Sequence, residues 1–278
     1  GVGGLTVLGA LRAAMPDERF VYLGDTARVP YGSKPLEMVR AFASEIAEEL
    51  VARGAKAIVI ACNTASAASL PELAARLPVP TWGVVQPGVD AAIDAVTPAY
   101  RGRVAVLGTE ATIKARAYQD RLEAAGVATW SRACPLFVPI VEEGVSDSAI
   151  AELVARHYLG DMPAVDAVIL GCTHYPLLKP TLSRVLGPEV VLIDSSEAVA
   201  DVVSADLARL GLCSPARRTA GADDVTYLVT GDVGSFMNTV TRLGGTDAPA
   251  ERVDLGTARA PKSSPALEPL PRSEHLAS

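Results

Sequence analysis

The sequence predicts an α/β protein made of two similar open-sheet domains with largely parallel strands and a site in the cleft between them. Short apolar runs rich in Val and Ile are each followed by a helix-like pattern, which is typical of βα units. Two of these runs end in a cysteine with polar neighbours. The length of 278 residues and the 49% hydrophobic content leave room for two cores.

The predicted strands have the near-continuous apolar character of a parallel sheet that is buried on both faces. The segments between them, such as Leu36–Ala52, place apolar residues at helical spacing against Arg and Glu. GVGGLTVLGA at the start is typical of a loop that enters a helix. The six strand candidates are residues 19–25, 56–63, 103–109, 167–173, 190–196 and 225–232.

Pro and Gly residues at 80–88 predict a domain boundary, and a second boundary is expected near 195–199. The strand at 225–232 would then return to the first sheet. We therefore predict a discontinuous first domain, 1–87 plus 198–255, and a second domain, 88–197. Residues 256–278 have several prolines and no periodicity, and are expected to form a disordered tail.

Composition excludes several classes of function. A net charge of -7 with no basic cluster argues against a nucleic acid partner. No apolar run is long enough for a membrane span, so we expect a cytoplasmic protein. The four cysteines are scattered without a CxxC pair, which disfavours disulfides and a zinc site. We expect free thiols, no metal and no cofactor, with a small solute as partner.

Cys62 and Cys172 each follow a predicted strand, at the edge of a parallel sheet where ligands bind. A helix start there would favour a thiolate, and Asn63, Thr64 and Thr173 add polar contacts. A single such cysteine is commonly structural, because it behaves as a small hydrophobe. The repetition favours two half-sites, and two opposed thiols suit proton removal from one face of a carbon and return to the other.

Seven segments of the chain carry a resemblance to a known family. The chain resembles the glutamate racemases, cofactor-independent enzymes that supply D-glutamate for bacterial cell-wall peptidoglycan. The matching segments are GVGGLTVL at Gly1, GDTARVPYG at Gly24, ACNTASA at Ala61, GVVQPG at Gly83, VAVLGTEATI at Val104, CPLFVPIVEEG at Cys134 and LGCTHYPLL at Leu170.

The resemblance implies that Cys62 and Cys172 are catalytic acid/bases, with Cys62 deprotonating D-glutamate and Cys172 deprotonating L-glutamate. It implies that His174 and Asp25 assist the thiols; Glu142 is the weaker candidate because Glu143 adjoins it. A homodimer is a possible assembly. The implied substrate contacts are Pro30, Tyr31, Gly32, Asn63, Thr64, Thr109 and Thr173.

Simpler interpretations of some of these residues remain open. Asp25 could be a turn or helix-cap residue, and Tyr31 could serve turn chemistry between Pro30 and Gly32. His174 alone would more often be a surface or hydrogen-bonded histidine. Cys134, Cys213 and His157 match no second element and are interpreted as structural.

The family pattern places a strand ending in Asp and Ser before the glycine run, whereas this sequence begins at Gly1. A late gene start, a fragment or a loss of activity would each explain this, and a truncated sequence is the preferred interpretation. Competing functions are an aspartate or hydantoin racemase and a catalytically impaired ligand-binding homologue. A cysteine hydrolase using Cys172 and His174 is a third, although residues two apart rarely form a dyad.

Overall fold

A computed structural model describes residues 1–96, 102–215 and 224–255. Every strand pair in these ranges is parallel. None of the described helices is long and apolar enough to cross a bilayer. The predicted tail at 256–278 lies outside the described residues.

Helices and strands alternate along most of the chain. The strands are β1 Phe20–Gly24, β2 Ile58–Ile60, β3 Thr81–Gly83, β4 Arg103–Gly108, β5 Ala128–Ala133, β6 Ala167–Gly171, β7 Val191–Asp194, β8 Val225–Val229 and β9 Ala250–Arg252. The helices are α1 Leu5–Ala14, α2 Leu36–Ala52, α3 Asn63–Arg76, α4 Val85–Ala95, α5 Glu110–Lys114, α6 Gln119–Ala124, α7 Phe137–Glu142, α8 Ala149–Leu159, α9 Lys179–Leu186, α10 Ser195–Arg209 and α11 Val233–Arg242.

The middle of the chain forms a four-stranded sheet in the order β5-β4-β6-β7. Every residue of β6 is buried, because one hydrophobic cluster covers each face of the sheet. Gly108 of β4 is in register with Gly171 of β6. The residues that follow these two strands, Thr109 and Cys172, therefore emerge side by side at the carboxyl edge of the sheet.

The remaining strands form two smaller sheets, β1-β8-β9 and β2-β3. Strand β8, from the end of the chain, pairs with β1 from its beginning. Helices α1 and α10 pack together through Val7, Leu11, Val199 and Val203. The early and late segments of the chain thus share one core.

An apolar space separates β1 from β2. Within the described residues, β1 pairs with β8 alone and β2 pairs with β3 alone. Residues 21–23 and 58–60 line the same cavity, and Val21 is 45% exposed. One edge of each strand consequently has backbone N–H and C=O groups without a strand partner.

The structure contains all six predicted strands, and α2 has the predicted bounds. Three strands were not predicted. Strand β3 is only three residues long, and β5 has the polar composition ATWSRA because it lies at a sheet edge. The stretch at 80–88, interpreted as a domain boundary, forms β3 and the beginning of α4. The division into domains stays a prediction.

Candidate active site

A cavity of about 590 Å³ opens at the carboxyl ends of β1, β2, β4 and β6. All twelve predicted site residues line it. They are Asp25, Pro30, Tyr31, Gly32, Cys62, Asn63, Thr64, Thr109, Glu142, Cys172, Thr173 and His174. Parallel strands gather their loops at one edge, which explains why residues so distant in sequence meet.

Cys62 occupies the N-cap position of α3. Strand β2 ends two residues earlier, and the helix that follows has 14 residues. The first turn of a helix has backbone N–H groups without intrahelical acceptors, and the aligned peptide dipoles make this end positive. The Cys62 thiol therefore lies where a negative charge is stabilised.

Cys172 follows β6 directly, but no α-helix begins beside it. A short 3-10 helix, Tyr175–Leu178, comes first, and α9 begins only at Lys179. The expectation of a helix start at both thiols is therefore wrong for Cys172. The prolines at 176 and 180 lack the N–H groups that a continuous helix through this segment would need.

The two thiols also differ in burial. Cys172 is 6% exposed, whereas Cys62 is partly exposed. Burial raises the pKa of the Cys172 thiol to about 12, and the charges of Cys62 and Glu142 act in the same direction. Cys172 therefore holds its proton in the unliganded protein.

His174 links Cys172 to Glu142. Its Nδ1 lies 3.7 Å from the Cys172 Sγ, and its Nε2 lies 3.0 Å from the Glu142 Oε1. The hydrogen bond from His174 lowers the pKa of Glu142, so that the carboxylate is ionised and can only accept. In the neutral tautomer that donates from Nε2 to Glu142, the Nδ1 lone pair of His174 faces the thiol. Glu142, rather than Glu143, is the carboxylate that faces His174.

Asp25 is almost fully buried, and its hydrogen bonds reach other residues than the thiols. Its carboxylate accepts from Arg28 Nε at 2.7 Å, from Thr230 Oγ1 at 2.7 Å and from the Tyr31 hydroxyl. Burial and the bond to Asp25 raise the pKa of Tyr31. Because Asp25 forms hydrogen bonds with neither cysteine in the described residues, its contacts favour holding the Tyr31 loop over direct assistance to a thiol.

Three threonine hydroxyls form a triangle at the side of the cavity where α3 begins. The Oγ1 atom of Thr64, in α3, lies 3.0 Å from that of Thr109 and 3.2 Å from that of Thr112. The Oγ1 atoms of Thr109 and Thr112 lie 3.0 Å apart. The loop at Gly32 packs against them, since a methyl group added at Gly32 would lie 2.7 Å from Thr109. Ala111 donates to the Gly32 carbonyl at 3.0 Å, which fixes this approach.

The glycine run of the first loop lies directly against the second thiol segment. A methyl group at Gly3 would lie 2.3 Å from Thr173 Oγ1 and 2.6 Å from His174. Thr6 donates to the Thr173 carbonyl at 3.0 Å. Gly3 is therefore required because any side chain would displace these two residues.

Sequence reasoning missed four polar residues that support the site. Arg28 and Thr230 hold Asp25, Thr112 completes the threonine triangle, and Tyr118 accepts from Asn63. Nothing in their local sequence indicates these contacts, which join segments up to 205 residues apart.

The cavity lining lacks the cationic side chains of Lys and Arg in the part of the chain that the structure describes. Carboxylates of a bound molecule would therefore meet hydroxyls and backbone N–H groups. No three His, Cys, Asp or Glu side chains of the described residues are placed to hold a metal ion.

Comparisons with a family model, with sequence relatives and with solved structures all identify racemases as similar proteins. The family model described as Asp/Glu/hydantoin racemase matches residues 6–203. A glutamate racemase of Thermus thermophilus is 51% identical over 258 residues, 92% of this chain and 94% of that protein. A crystal structure of glutamate racemase from Thermus thermophilus, in complex with β-chloro-D-alanine, has a TM-score of 0.83 at 50% identity and covers 92% of this chain and 94% of that one.

A crystal structure of glutamate racemase from Francisella tularensis, in complex with D-glutamate, has a TM-score of 0.82 at 32% identity and covers 93% of this chain and 96% of that one. Parallel α/β sheets with two thiols in one cavity, together with the family model, define an amino-acid racemase. These sequence relatives and solved structures are glutamate racemases, and they identify the kind of amino-acid racemase. The chain belongs to the glutamate racemase family, and it interconverts L-glutamate and D-glutamate.

Proposed function

We propose that racemisation proceeds by two-base proton transfer between Cys62 and Cys172. The observation that supports this most directly is that both thiols line the same cavity, each from the end of a different strand. As the resemblance implies, Cys62 removes the α-proton of D-glutamate while Cys172 supplies the new proton. Cys172 removes the α-proton of L-glutamate in the reverse direction. The α-carbon is thereby inverted without a covalent intermediate.

In this mechanism His174 and Glu142 set the protonation state of Cys172. The ionised Glu142 orients the His174 ring, and the Nδ1 lone pair accepts the thiol proton when Cys172 must act as a base. A protonated Cys172 is already suited to the opposite direction, in which it donates. The two directions therefore use the same contacts in reverse order.

The N-terminus of α3 assists Cys62 in this mechanism. The positive end of the helix dipole stabilises the thiolate that removes the α-proton of D-glutamate. Asp25 contributes indirectly, because it holds Tyr31 at the cavity wall through the phenol hydroxyl.

Substrate carboxylates are bound without a cationic side chain in this proposal. Thr64, Thr109 and Thr173 offer hydroxyls, and the loop of Pro30, Tyr31 and Gly32 offers backbone groups. Such donors, held in place before the reaction, stabilise the charge that develops on the α-carboxylate when the proton leaves. Asn63 is a further proposed contact with the substrate, apart from these carboxylate donors.

We also propose that the D-glutamate serves peptidoglycan synthesis in the cytoplasm. Membership of the glutamate racemase family supports the role in peptidoglycan synthesis, and four free cysteines agree with a reducing compartment. The homodimer stays a prediction, which sedimentation velocity of the purified protein would test.

Turnover of L-glutamate in deuterated water tests the two-base mechanism. Because the incoming proton comes from a different thiol than the one that receives the outgoing proton, early D-glutamate should be fully deuterated at the α-carbon. Unreacted L-glutamate should keep its protium. Proton NMR of the separated enantiomers measures both. Protium retained in the product would mean that one base serves both faces and would refute the proposal.

Removing either thiol tests the residue assignments. Cys62→Ser and Cys172→Ser should each lower racemisation by at least about 10²-fold, the contribution typical of a positioned general acid or base. Cys213→Ser is the matched control, since this exposed cysteine is not among the cavity residues. Equal activity of a site variant and the control would overturn the assignment of that thiol.

A further inference from the structure

Tyr118 is a fully buried tyrosine that touches the chain beside both thiols. Its hydroxyl lies 2.6 Å from the Nδ2 of Asn63, the residue after Cys62. Its ring packs beside Gly171, the residue before Cys172, where an added methyl group would lie 3.3 Å from the ring carbon Cε2. Tyr118 itself is not among the residues that line the cavity.

The direction of the hydrogen bond between Asn63 and Tyr118 decides which end of the Asn63 amide can contact the substrate. A side-chain amide has one branch that donates, the NH2 group, and one that accepts, the carbonyl oxygen. The NH2 group of Asn63 donates an N–H to the Tyr118 oxygen and so lies on the Tyr118 side of the amide. The proton of Tyr118 is left for Ser195, whose Oγ lies 3.2 Å away. The carbonyl oxygen is the branch of Asn63 that remains for the cavity.

We propose that Tyr118 is a positioning residue: its hydroxyl orients the Asn63 amide so that the carbonyl oxygen faces the cavity and selects the α-ammonium group of the amino acid. A reversed amide would present NH2, which repels an ammonium group and instead favours carboxylates or a hydroxyl. Tyr118 thus sets specificity for an amino acid over a hydroxy acid without touching the substrate. The inference rests on the proposed role of Asn63 in substrate binding.

Tyr118→Phe removes the hydroxyl and keeps the ring that packs at Gly171. The informative quantity is the ratio of two affinities: the KM for glutamate and the inhibition constant of 2-hydroxyglutarate, which has a hydroxyl in place of the ammonium group. We expect the variant to lose preference for glutamate by about 10-fold or more, as for the loss of a hydrogen bond to a charged group. Binding of 2-hydroxyglutarate should be unchanged or tighter.

One variant controls for loss of a buried hydroxyl as such. Tyr175→Phe removes another buried tyrosine hydroxyl, which donates to the carbonyls of Gly108 and Cys134. Tyr175→Phe should retain the wild-type ratio. A ratio that changes equally in Tyr118→Phe and Tyr175→Phe would show general loosening and overturn the inference.

A second measurement requires no change of sequence at Tyr118. The chain has only two asparagines, Asn63 and Asn238, and Asn238 is exposed. In protein labelled with ¹⁵N at asparagine side chains, the NH2 protons of Asn63 should exchange with water far more slowly than those of Asn238. Equally fast exchange would mean that the NH2 group faces the cavity and not the buried Tyr118, which would contradict the inference.

Asn63→Ala separates this inference from the role on which it rests. A raised KM for glutamate in Asn63→Ala, with an unchanged specificity ratio in Tyr118→Phe, would overturn the role of Tyr118 alone. An unchanged KM in Asn63→Ala would remove Asn63 from substrate binding and overturn both statements. A raised KM together with the altered ratio supports both.

Discussion

At the scale of single residues, the two thiols of this site are alike in type and different in surroundings. Cys62 lies at the positive end of a long helix, whereas Cys172 is buried beside His174. A reaction that inverts one carbon needs one thiolate and one thiol at a time. Different surroundings allow the resting protein to hold one of the two protonated, and burial selects Cys172 for this state.

The raised pKa of Cys172 predicts an unusual pH dependence of its alkylation. Only the thiolate reacts, so a group whose pKa is raised from about 9 to about 12 should react about tenfold faster for each pH unit through pH 9.5. Peptide mapping after brief iodoacetamide treatment measures this rate. N-acetylcysteine in the same tube should level off near its own pKa. A plateau of Cys172 below pH 9 would contradict the predicted shift.

Gly3 offers a second prediction at this scale. Gly3→Ala should lower kcat/KM by about 10-fold or more, because the new methyl group would displace Thr173 and His174. Gly9→Ala is the matched control, since the space around Gly9 is empty and Ala favours the interior of α1. Comparable activity of the two variants would show that the close approach at Gly3 is not needed.

At the scale of the elements, strands differ in how many neighbours hold them. β4 is paired on both sides, by β5 and β6, whereas β1 and β2 each have one partner in the described residues. The free edges line the cavity that holds the site. The site is thus bounded by a firmly paired sheet on one side and by two smaller sheets on the other.

This difference should appear in amide hydrogen exchange. Because successive residues of a strand direct their N–H groups to opposite sides, roughly half of the amides of β1 and β2 face the cavity and should exchange early. The amides of β4 should remain protected much longer. Mass spectrometry of peptic fragments resolves these segments. Equal protection of β1, β2 and β4 would mean that the free edges are covered in solution.

At the scale of the whole molecule, the site depends on contacts between segments far apart in the chain. Arg242 near the end of α11 donates to the Glu142 carbonyl at 2.6 Å. Thr6 of α1 donates to the Thr173 carbonyl. These bonds hold the His174 side of the cavity against the segments that contain α1 and α11.

Arg242→Ala should therefore weaken catalysis without direct contact to the substrate. Loss of one exposed hydrogen bond that positions Glu142 is expected to lower kcat about 2- to 10-fold. Arg252→Ala, which removes an exposed arginine 3.8 Å from Asp254, should have no effect. Steady-state racemisation with both enantiomers measures the change. An unaltered kcat in Arg242→Ala would show that Glu142 is held by other contacts.

Much of the molecule could be predicted from local pattern. The apolar runs identified six strands because burial on both faces of a parallel sheet leaves a strong signature, and α2 followed from its helical spacing. The short β3 and the polar edge strand β5 lack that signature. All twelve site candidates line the cavity, because motifs after strands converge at one sheet edge.

The sequence by itself determined the class of fold, the pair of cysteines and the family resemblance, since these depend on local pattern and on motifs. Only the tertiary structure decided which neighbours each group has. In the tertiary structure, Asp25 accepts hydrogen bonds from Tyr31 and Arg28, Glu142 is hydrogen-bonded to His174, and Tyr118 accepts a hydrogen bond from Asn63. Hydrogen bonds between residues up to 205 positions apart depend on how sheets and helices pack, which no local pattern encodes.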